Sequence, residues 1–498
     1  VEEALALAVR LHRDGQFAEA ETVYRRILAV CPEHPDTLHF LGVLAHQQKK
    51  STEAIDLIGR AIALVPDQPD FRNNLGNVFK EQGLLAEAAD AYRQVIALQP
   101  GYGAAHNNLG TVLKEQGHLE DALVSFQKAL AIQPNHVGAL LNLGGVLAML
   151  DRLNEATVAY QKVISLNPDH AEAYYRLGHI YWDQGRYEDA VAVFRKTTDL
   201  EPNHGDAYFV LGSLFYQHKR FEDAVAAYRK CLEVDPGKSA AYRMLGVTLN
   251  LLDRTDEAVV VWEQWLKQEP ENPIPRHMLA AATGRNVPAR ASDAFVQKTF
   301  DAFAGTFDAQ LEHLEYRAPE LVAKAIAGRI GTPAADLEVL DAGCGTGLCG
   351  PLLRPYARVL TGIDLSAEML EKARQRGGYD RLAKAELTEF MDSAECAYDL
   401  IASADTLVYF GDLNPPFQSA AKALRPGGHL VFTLEKASDT CGEAGFVLHA
   451  LGRYCHTEDY VKTRLQETGF AVCEISSVVL RKEAGKPVQG MLVAARRG

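Results

Sequence analysis

Asp341, Gly343, Gly345 and Gly347 fall within one run, Leu337-Glu338-Val339-Leu340-Asp341-Ala342-Gly343-Cys344-Gly345-Thr346-Gly347. Glycine at alternate positions lets the backbone enter φ > 0 and lets a ligand come close to the main chain. The apolar residues ahead of it read as a buried strand ending in an acid. A helix should follow, with its free N–H groups facing the ligand. Such a loop holds a nucleotide-bearing cofactor. A second carboxylate, Asp364, closes the next apolar run, Arg358–Ile363. Gly343, Gly345 and Asp364 alone also fit a nicotinamide enzyme, whose pyrophosphate loop is G-x-G-x-x-G. Here the spacing is G-x-G-x-G, with an acid two residues ahead. An acid at the strand end suits an ammonium group better than a pyrophosphate.

The elements that must position these groups can be read along the chain. A helix capped by Ser292 or Asp293 carries Phe295, Phe300 and Phe303, and a second covers Pro319 to about Arg329. Strands are expected at Leu337–Ala342, Arg358–Ile363, Leu382–Glu386, Tyr398–Ala404 and His429–Glu435. Ser366 is placed to cap the helix that follows the second strand. A long helical connection leads to two final strands, Phe470–Leu480 and Pro487–Ala494, that look like a closing hairpin. Strands alternating with helices give a doubly wound parallel sheet, with ligand at the C-terminal strand ends.

With the Leu424-Arg425-Pro426-Gly427-Gly428 turn before the fifth strand, these features resemble class I S-adenosylmethionine-dependent methyltransferases over about Phe295 to Ala495. The resemblance implies an α/β Rossmann-like domain, a mostly parallel seven-stranded sheet with a C-terminal hairpin, and S-adenosyl-L-methionine as cofactor. It implies that Asp341, Gly343, Cys344 and Gly345 cradle the methionine part and that Asp364 accepts from both ribose hydroxyls. Leu365 would flank the adenine, Glu386 and Leu387 would lie at its edge, and Ala404 and Asp405 would lie near the reacting methyl group. The pattern Phe300-Asp301-Ala302-Phe303-Ala304, Phe307-Asp308 and Tyr316-Arg317-Ala318-Pro319-Glu320-Leu321 looks like the front helix of bacterial methyltransferases that carry tetratricopeptide repeats. Their familiar relatives are small-molecule O-methyltransferases of the biotin-synthesis type. Many of these carry Tyr where Phe307 stands, so that hydroxyl contact would be lost.

Methyl transfer is mostly alignment and water exclusion. A base is needed only for a protonated acceptor, and the catalytic candidates are His456, Asp405 and Tyr409. Arg453 and Arg481 could bind an acidic acceptor or be surface charges. Asn414-Pro415-Pro416-Phe417 spells an amino-methyltransferase signature. It falls about ten residues past the end of the fourth strand and reads instead as a helix start, with Asn414 as cap and Pro415 in the first turn.

Residues 1–272 are a repeat array. Prolines stand 34 apart from Pro32 to Pro270, alanines from Ala20 to Ala258, and Leu-Gly pairs from Leu41-Gly42 to Leu245-Gly246. A large side chain recurs in step, from Tyr24 through Tyr92 and Phe194 to Trp262. The period is identified as the tetratricopeptide pattern. Eight repeats suffice for an all-α superhelical solenoid, with small residues where helices approach and an aromatic beside them. The first helices should line a concave groove. Asn74, Asn108 and Asn142 precede successive Leu-Gly pairs, with Asn73 and Asn107 beside them and Arg176 further on. An amide ladder can grip an extended peptide backbone without demanding a sequence. The stretch resembles the repeat region of O-GlcNAc transferase, where groove asparagines hold substrate peptides. The plainer alternative is asparagines that are solvated and merely fit the repeat. Residues 273–292 read as a capping half-repeat and linker, and 293–498 as the methyltransferase domain.

The 498-residue chain carries a net charge of -14, so a general nucleic-acid binder is not expected. Its eight cysteines form no C-x-x-C pair and no zinc spacing, which reads as reduced thiols in a cytosolic protein and no metal. No signal peptide or long apolar run is apparent, so membrane insertion is not expected. Val1 stands already inside a helical pattern, so further native residues are expected ahead of it. The expected partner is a protein or peptide in the groove.

Overall fold

A computed structural model describes residues 1–437, 444–483 and 485–498. The chain divides into two compact units, residues 1–214 and 215–498.

The first unit is built of antiparallel helix pairs. Pro35–Gln47 pairs with Ser51–Leu64, Pro69–Glu81 with Leu85–Leu98, and Gly103–Glu115 with Leu119–Ile132. Each second helix ends two residues ahead of the periodic proline, which has no N–H to continue it. Gly42, Gly76, Gly110, Gly144 and Gly178 of the Leu-Gly pairs each face the periodic large residue. A Cβ on Gly76 would stand 2.7 Å from the Tyr92 ring, and Tyr92 is fully buried. The small residue is therefore the cavity into which the aromatic fits, and no larger side chain can take its place without overpacking.

The second unit opens with the same architecture. Helices Phe221–Val234, Ser239–Leu251, Thr255–Gln268 and Pro273–Thr283 precede the sheet region. Gly246 and Trp262 repeat the Gly76–Tyr92 contact. Asn272 caps the last of these helices by accepting from Ile274 N–H, and Gly284 ends it in the left-handed region at φ 65°.

The sheet has nine strands among the described residues: β1 Leu337–Ala342, β2 Ala357–Asp364, β3 Arg381–Lys384, β4 Tyr398–Ser403, β5 Leu424–Lys436, β6 Phe446–Leu448, β7 Tyr454–His456, β8 Phe470–Glu483 and β9 Lys486–Arg497. β3, β2, β1, β4 and β5 lie side by side and parallel. β9 runs antiparallel to β5, and β8 antiparallel to β9. These seven strands are the expected sheet with its closing hairpin. Two short strands are added. β7 pairs parallel with the end of β5 at Glu435 and Lys436, and β6 pairs with β7. They occupy part of the stretch read from sequence as a helical connection. The helix there is Glu458–Glu467 alone.

Alternate residues on each strand enter opposite cores. Leu340, Ile401 and Phe432 pack with Phe417, Val461 and Leu465 on one face. Val339, Leu400 and Val431 pack with Val322 and Ile326 on the other. The sheet is thus covered on both sides, and only its strand ends are left for chemistry.

Ser292 and Ser366 cap helices Asp293–Phe303 and Ala367–Arg376. Asn414 does not cap as expected. It is the first residue of helix Asn414–Ala423, and its N–H donates to the Asp412 carboxylate, 3.0 Å. Asp412 stands where an Asx turn needs it, which leaves Asn414 inside the helix. The linker is tied down as well. Gly411 and Asp412 N–H both donate to Ala289 C=O, and Ala291 N–H donates to Tyr409 C=O, each at 2.8 Å.

Candidate functional site

The loop after β1 is turned by Gly343 at φ 82° and Gly345 at φ 54°. A Cβ on Gly343 would collide with Thr406, whereas one on Gly345 would meet nothing within 4 Å. The first glycine lets the loop pack on the segment after β4. The second leaves open space over the backbone, where a ligand could approach.

Asp341 is the penultimate residue of β1 and is only 1% exposed. Its Oδ2 accepts from the Tyr379 hydroxyl at 2.6 Å, while its Oδ1 has no partner. Burial pushes this carboxyl up to about 7, against the pull of the Tyr379 hydrogen bond. A buried carboxylate oxygen without a donor is costly, and it is the right acceptor for an incoming ammonium group. Asp364 ends β2. Its two oxygens accept Gly345 N–H at 2.9 Å and Ser366 N–H at 2.8 Å. A carboxylate has about four acceptor sites, so two remain for ligand hydroxyls. Leu365 follows, half-buried beside it, and burial pushes the Cys344 thiol up.

The front helix Asp293–Phe303 and the next, Phe307–His313, are strapped over this loop. Asp301 accepts from the Ser366 hydroxyl at 2.5 Å. Asp308 accepts from the Thr346 hydroxyl at 2.6 Å and from Arg376 at 2.5 Å. Phe300 stands edge-on to Phe307 and to Tyr409.

Glu386 does not present a free carboxylate at the expected adenine edge. It caps helix Leu387–Asp392 by accepting Glu389 N–H at 2.8 Å, and its other oxygen accepts from Arg290 at 3.2 Å. Leu387 is buried beside Ala342, Ile401 and Phe417. Ala404 is half-buried after β4, and Asp405 follows in the left-handed region at φ 59°.

Asp405 is held in an ion cluster. Arg481, 3% exposed, donates to Asp405 and Glu435, and to Glu483 at 2.7 Å. Arg453 reaches Glu435 at 2.5 Å and Glu483 at 2.6 Å. The two arginines are therefore internal counter-ions to acids of this chain, and neither is a solvated surface charge. Tyr409 packs against Phe300, and burial pushes its phenol up to about 12.

His456 does not reach the site as the sequence suggested. It is fully buried in β7, its Nε2 is 3.1 Å from Gly411 C=O, and its ring stacks on Tyr460. Burial holds it down to about 4, so it is neutral at physiological pH. It lies at the end of the sheet, with its Nδ1 buried and without a partner.

In the first unit the asparagines expected to line a groove bond to each other. Asn108 donates to Asn73 and to Asn77, both at 3.3 Å, and Asn142 donates to Asn107 at 3.2 Å. Asn107 donates to Asn108 at 3.4 Å, and Asn74 lies 2.7 Å from the His39 ring nitrogen. These bonds link successive repeats, but they run from Asn108 and Asn142 to Asn73, Asn77 and Asn107, and Asn74 stands apart on His39. Asn77 went unread in the sequence, although it stands one helical turn after Asn73. Arg176 is exposed and bound to Glu172 of its own helix at 2.6 Å.

Among the described residues no His, Cys, Asp and Glu cluster fits a metal, and no helix is long and apolar enough to cross a membrane.

Family models place these features among known proteins. Tetratricopeptide repeat models match residues 1–44, 103–136, 175–237 and 209–273, and a TPR repeat model matches 76–117 and 150–185. A methyltransferase domain model matches 340–432. A biotin biosynthesis bifunctional protein of Bordetella avium is 36% identical over 154 residues, covering 29% of this chain and 31% of that protein. A malonyl-[acyl-carrier protein] O-methyltransferase of Enterobacter lignolyticus is 32% identical over 124 residues, 25% of this chain and 49% of that one. Methyltransferase-like protein 27 of Homo sapiens is 32% identical over 138 residues, 27% and 55% respectively. The chain thus spans between about a third and about half of the length of these relatives. Among solved structures, YrrB, described as a TPR protein with an unusual peptide-binding site, is 22% identical with a TM-score of 0.34, covering 37% of this chain and 96% of that one.

Proposed function

We propose that this chain, which joins tetratricopeptide repeats to a methyltransferase domain, moves the methyl group of S-adenosylmethionine to a protein or carrier-bound acceptor recruited by the repeats. The observation that carries the cofactor reading is the buried, unpartnered Oδ1 of Asp341 beside a loop left open at Gly345. When bound, S-adenosylmethionine supplies a methyl group already activated on a sulfonium. The chain's own residues bind and orient. Asp341 takes the ammonium group, Asp364 the ribose hydroxyls, and Leu365 flanks the adenine. Phe300 and Phe307 help to exclude water.

Acid–base work is limited by what the site holds. Asp405 is paired to Arg481 through one oxygen, its other oxygen being buried without a partner, and Tyr409 keeps its proton far above neutral pH. An acceptor already anionic at its reacting atom, such as a carboxylate oxygen, needs neither. The relatives named as malonyl-[acyl-carrier protein] O-methyltransferases support an oxygen acceptor on a carrier.

One observation favours a second reading. The ladder amides already satisfy one another, so the repeats could be a scaffold beside a small-molecule O-methyltransferase. Tritium transfer from labelled S-adenosylmethionine to lysate proteins separates the two. With the double variant Asn108→Ala and Asn142→Ala, the first reading expects labelling to drop by about tenfold. Undiminished labelling would sink recruitment by the groove. Calorimetry with S-adenosylhomocysteine tests the cofactor itself, with Asp364→Ala as the weakened control. No heat from the full chain would end the methyl-transfer reading.

The same titration should depend on pH. Asp341 has a folded pKa raised to about 7 from 3.8. The ligand-free fold therefore loses stability as pH rises from about 4 towards 7, where the unfolded chain is already ionised. An ammonium ligand binds the ionised form, so affinity for S-adenosylhomocysteine should rise between about pH 6 and 8. Asp341→Asn should flatten that rise. A rise that persists in the variant would assign it to another group.

A further inference from the structure

Arg243 sits on helix Ser239–Leu251, in the second unit. By the 34-residue register it shares a column with Asn73 and Asn107 before it and His277 after it. Its guanidinium lies 4.2 Å from the centre of the Phe303 ring, at the end of the front helix. Burial holds it below the usual arginine range, and no acid pulls it back. Among the described residues it has no ion pair and no hydrogen bond. The acid next to its own helix, Glu269, is already engaged. It accepts from Ser239, one turn before Arg243, and from Trp265 and Asn272, and it lies 3.9 Å from Lys298.

A second unmatched donor stands on the facing helix. Thr299 precedes Phe303 by four residues, so the two share a helix face. Its hydroxyl is buried and has no partner. His277, the next member of the Arg243 column, reaches further into the same domain. Its ring nitrogen is 2.9 Å from Gly452 C=O, and its ring lies 3.9 Å from that of Phe295 on the front helix. A desolvated cation without a counter-charge is costly, and a buried hydroxyl without a partner adds to the cost. One occupant relieves both, and that occupant is negatively charged.

We propose that Arg243 and Thr299 form a receiving site, between helix Ser239–Leu251 and the front helix, for an anionic group carried by the methyl acceptor, a carboxylate or a phosphate. The last repeats then contribute a substrate-binding side chain beside the helix that covers the cofactor loop. The guanidinium fork offers two parallel N–H donors to such a group, and the Phe303 face holds the fork flat. The identity of the occupant as the acceptor rests on the methyl-transfer reading above. The anion site itself does not.

Thermal unfolding of the full chain tests it, with succinate and inorganic phosphate as separate probes at constant ionic strength. The wild type should gain several degrees in Tm with at least one probe, and which one responds names the group. Arg243→Met should be at least as stable as the wild type without anion, because the uncompensated charge is gone, and should lose the anion-dependent gain. Thr299→Val should keep the fold and weaken the gain, and it decides the matter if Arg243→Met does not fold. General stabilisation by excluded anions raises all variants equally. Equal gains in wild type and variants, or no gain in the wild type, would overturn the site. S-adenosylhomocysteine calorimetry on the same samples keeps the two proposals apart. Lost cofactor heat with an intact anion gain sinks only methyl transfer.

Discussion

Arg481→Met lowers the stability of the sheet at neutral pH by about 3–5 kcal/mol, the usual cost of orphaning a buried charge. Hydrogen exchange at the β4 and β5 amides reads the change. The arginine serves three carboxylates, Asp405, Glu435 and Glu483, with Arg453 as the only other cation in the described cluster. Burial alone would raise the Glu435 carboxyl, but the guanidiniums of Arg453 and Arg481 outweigh it and hold it low. A depressed carboxyl stabilises the fold above its unfolded pKa and loses that contribution as pH falls through the folded value. Without Arg481 the balance inverts. Glu435 rises above its unfolded value, and Asp405, already raised by burial, loses the cation that pulls it down, so the deficit should shrink as the pH is lowered towards about 5 and the two take up protons. A deficit of the same size at pH 5 and pH 8 would show that lost packing, not charge, is responsible.

Gly343→Ala should cut affinity for S-adenosylhomocysteine by about a hundredfold. An alanine at φ 82° carries backbone strain of about 1–2 kcal/mol. Its Cβ would also collide with Oγ1 and Cγ2 of Thr406. Thr406 cannot simply turn away, since its hydroxyl donates to Gly343 C=O at 3.2 Å and Ala404 C=O at 3.3 Å. Overpacking of about 1–3 kcal/mol adds to the strain. The two move the loop off the strand ends, and calorimetry measures the loss. Gly345→Ala is the internal contrast, because its Cβ meets no protein atom. It carries the strain of φ 54°, about 1–2 kcal/mol, but no clash, so it should cost less stability and less affinity than Gly343→Ala. Equal binding by Gly343→Ala and wild type would mean that the loop does not hold the cofactor.

What was legible in the sequence is what local chemistry decides. The repeat announces itself because Gly76 and Tyr92 must fit each other within one helix pair, and the same bargain recurs every 34 residues. The parallel strands were readable as apolar runs because the sheet is covered on both faces. β6 and β7 were not readable, since three residues each become strand only by pairing at the end of β5. His456 was misread for the same reason. Its hydrogen-bond partner, Gly411, lies 45 residues away, and nothing local separates a core imidazole from an exposed one. Glu386 was no easier to read, because Glu is not among the residues that usually cap a helix start. Arg243 is not legible in the sequence because what marks it is the lack of a counter-ion beside the Phe303 ring, which only the assembled fold displays.

The pairing of Ala289–Ala291 with Tyr409–Asp412 has a mechanical consequence. Three main-chain hydrogen bonds and the Arg290–Glu386 contact join the linker to the segment that follows β4. Tension on the chain ahead of Ala289 is borne first by these bonds. It reaches Tyr409 and Asp412 before the front helix takes any load, and those residues stand only a few positions beyond Asp405 and Thr406. The linker thus behaves as a tether fixed at the edge of the site, not as a swivel.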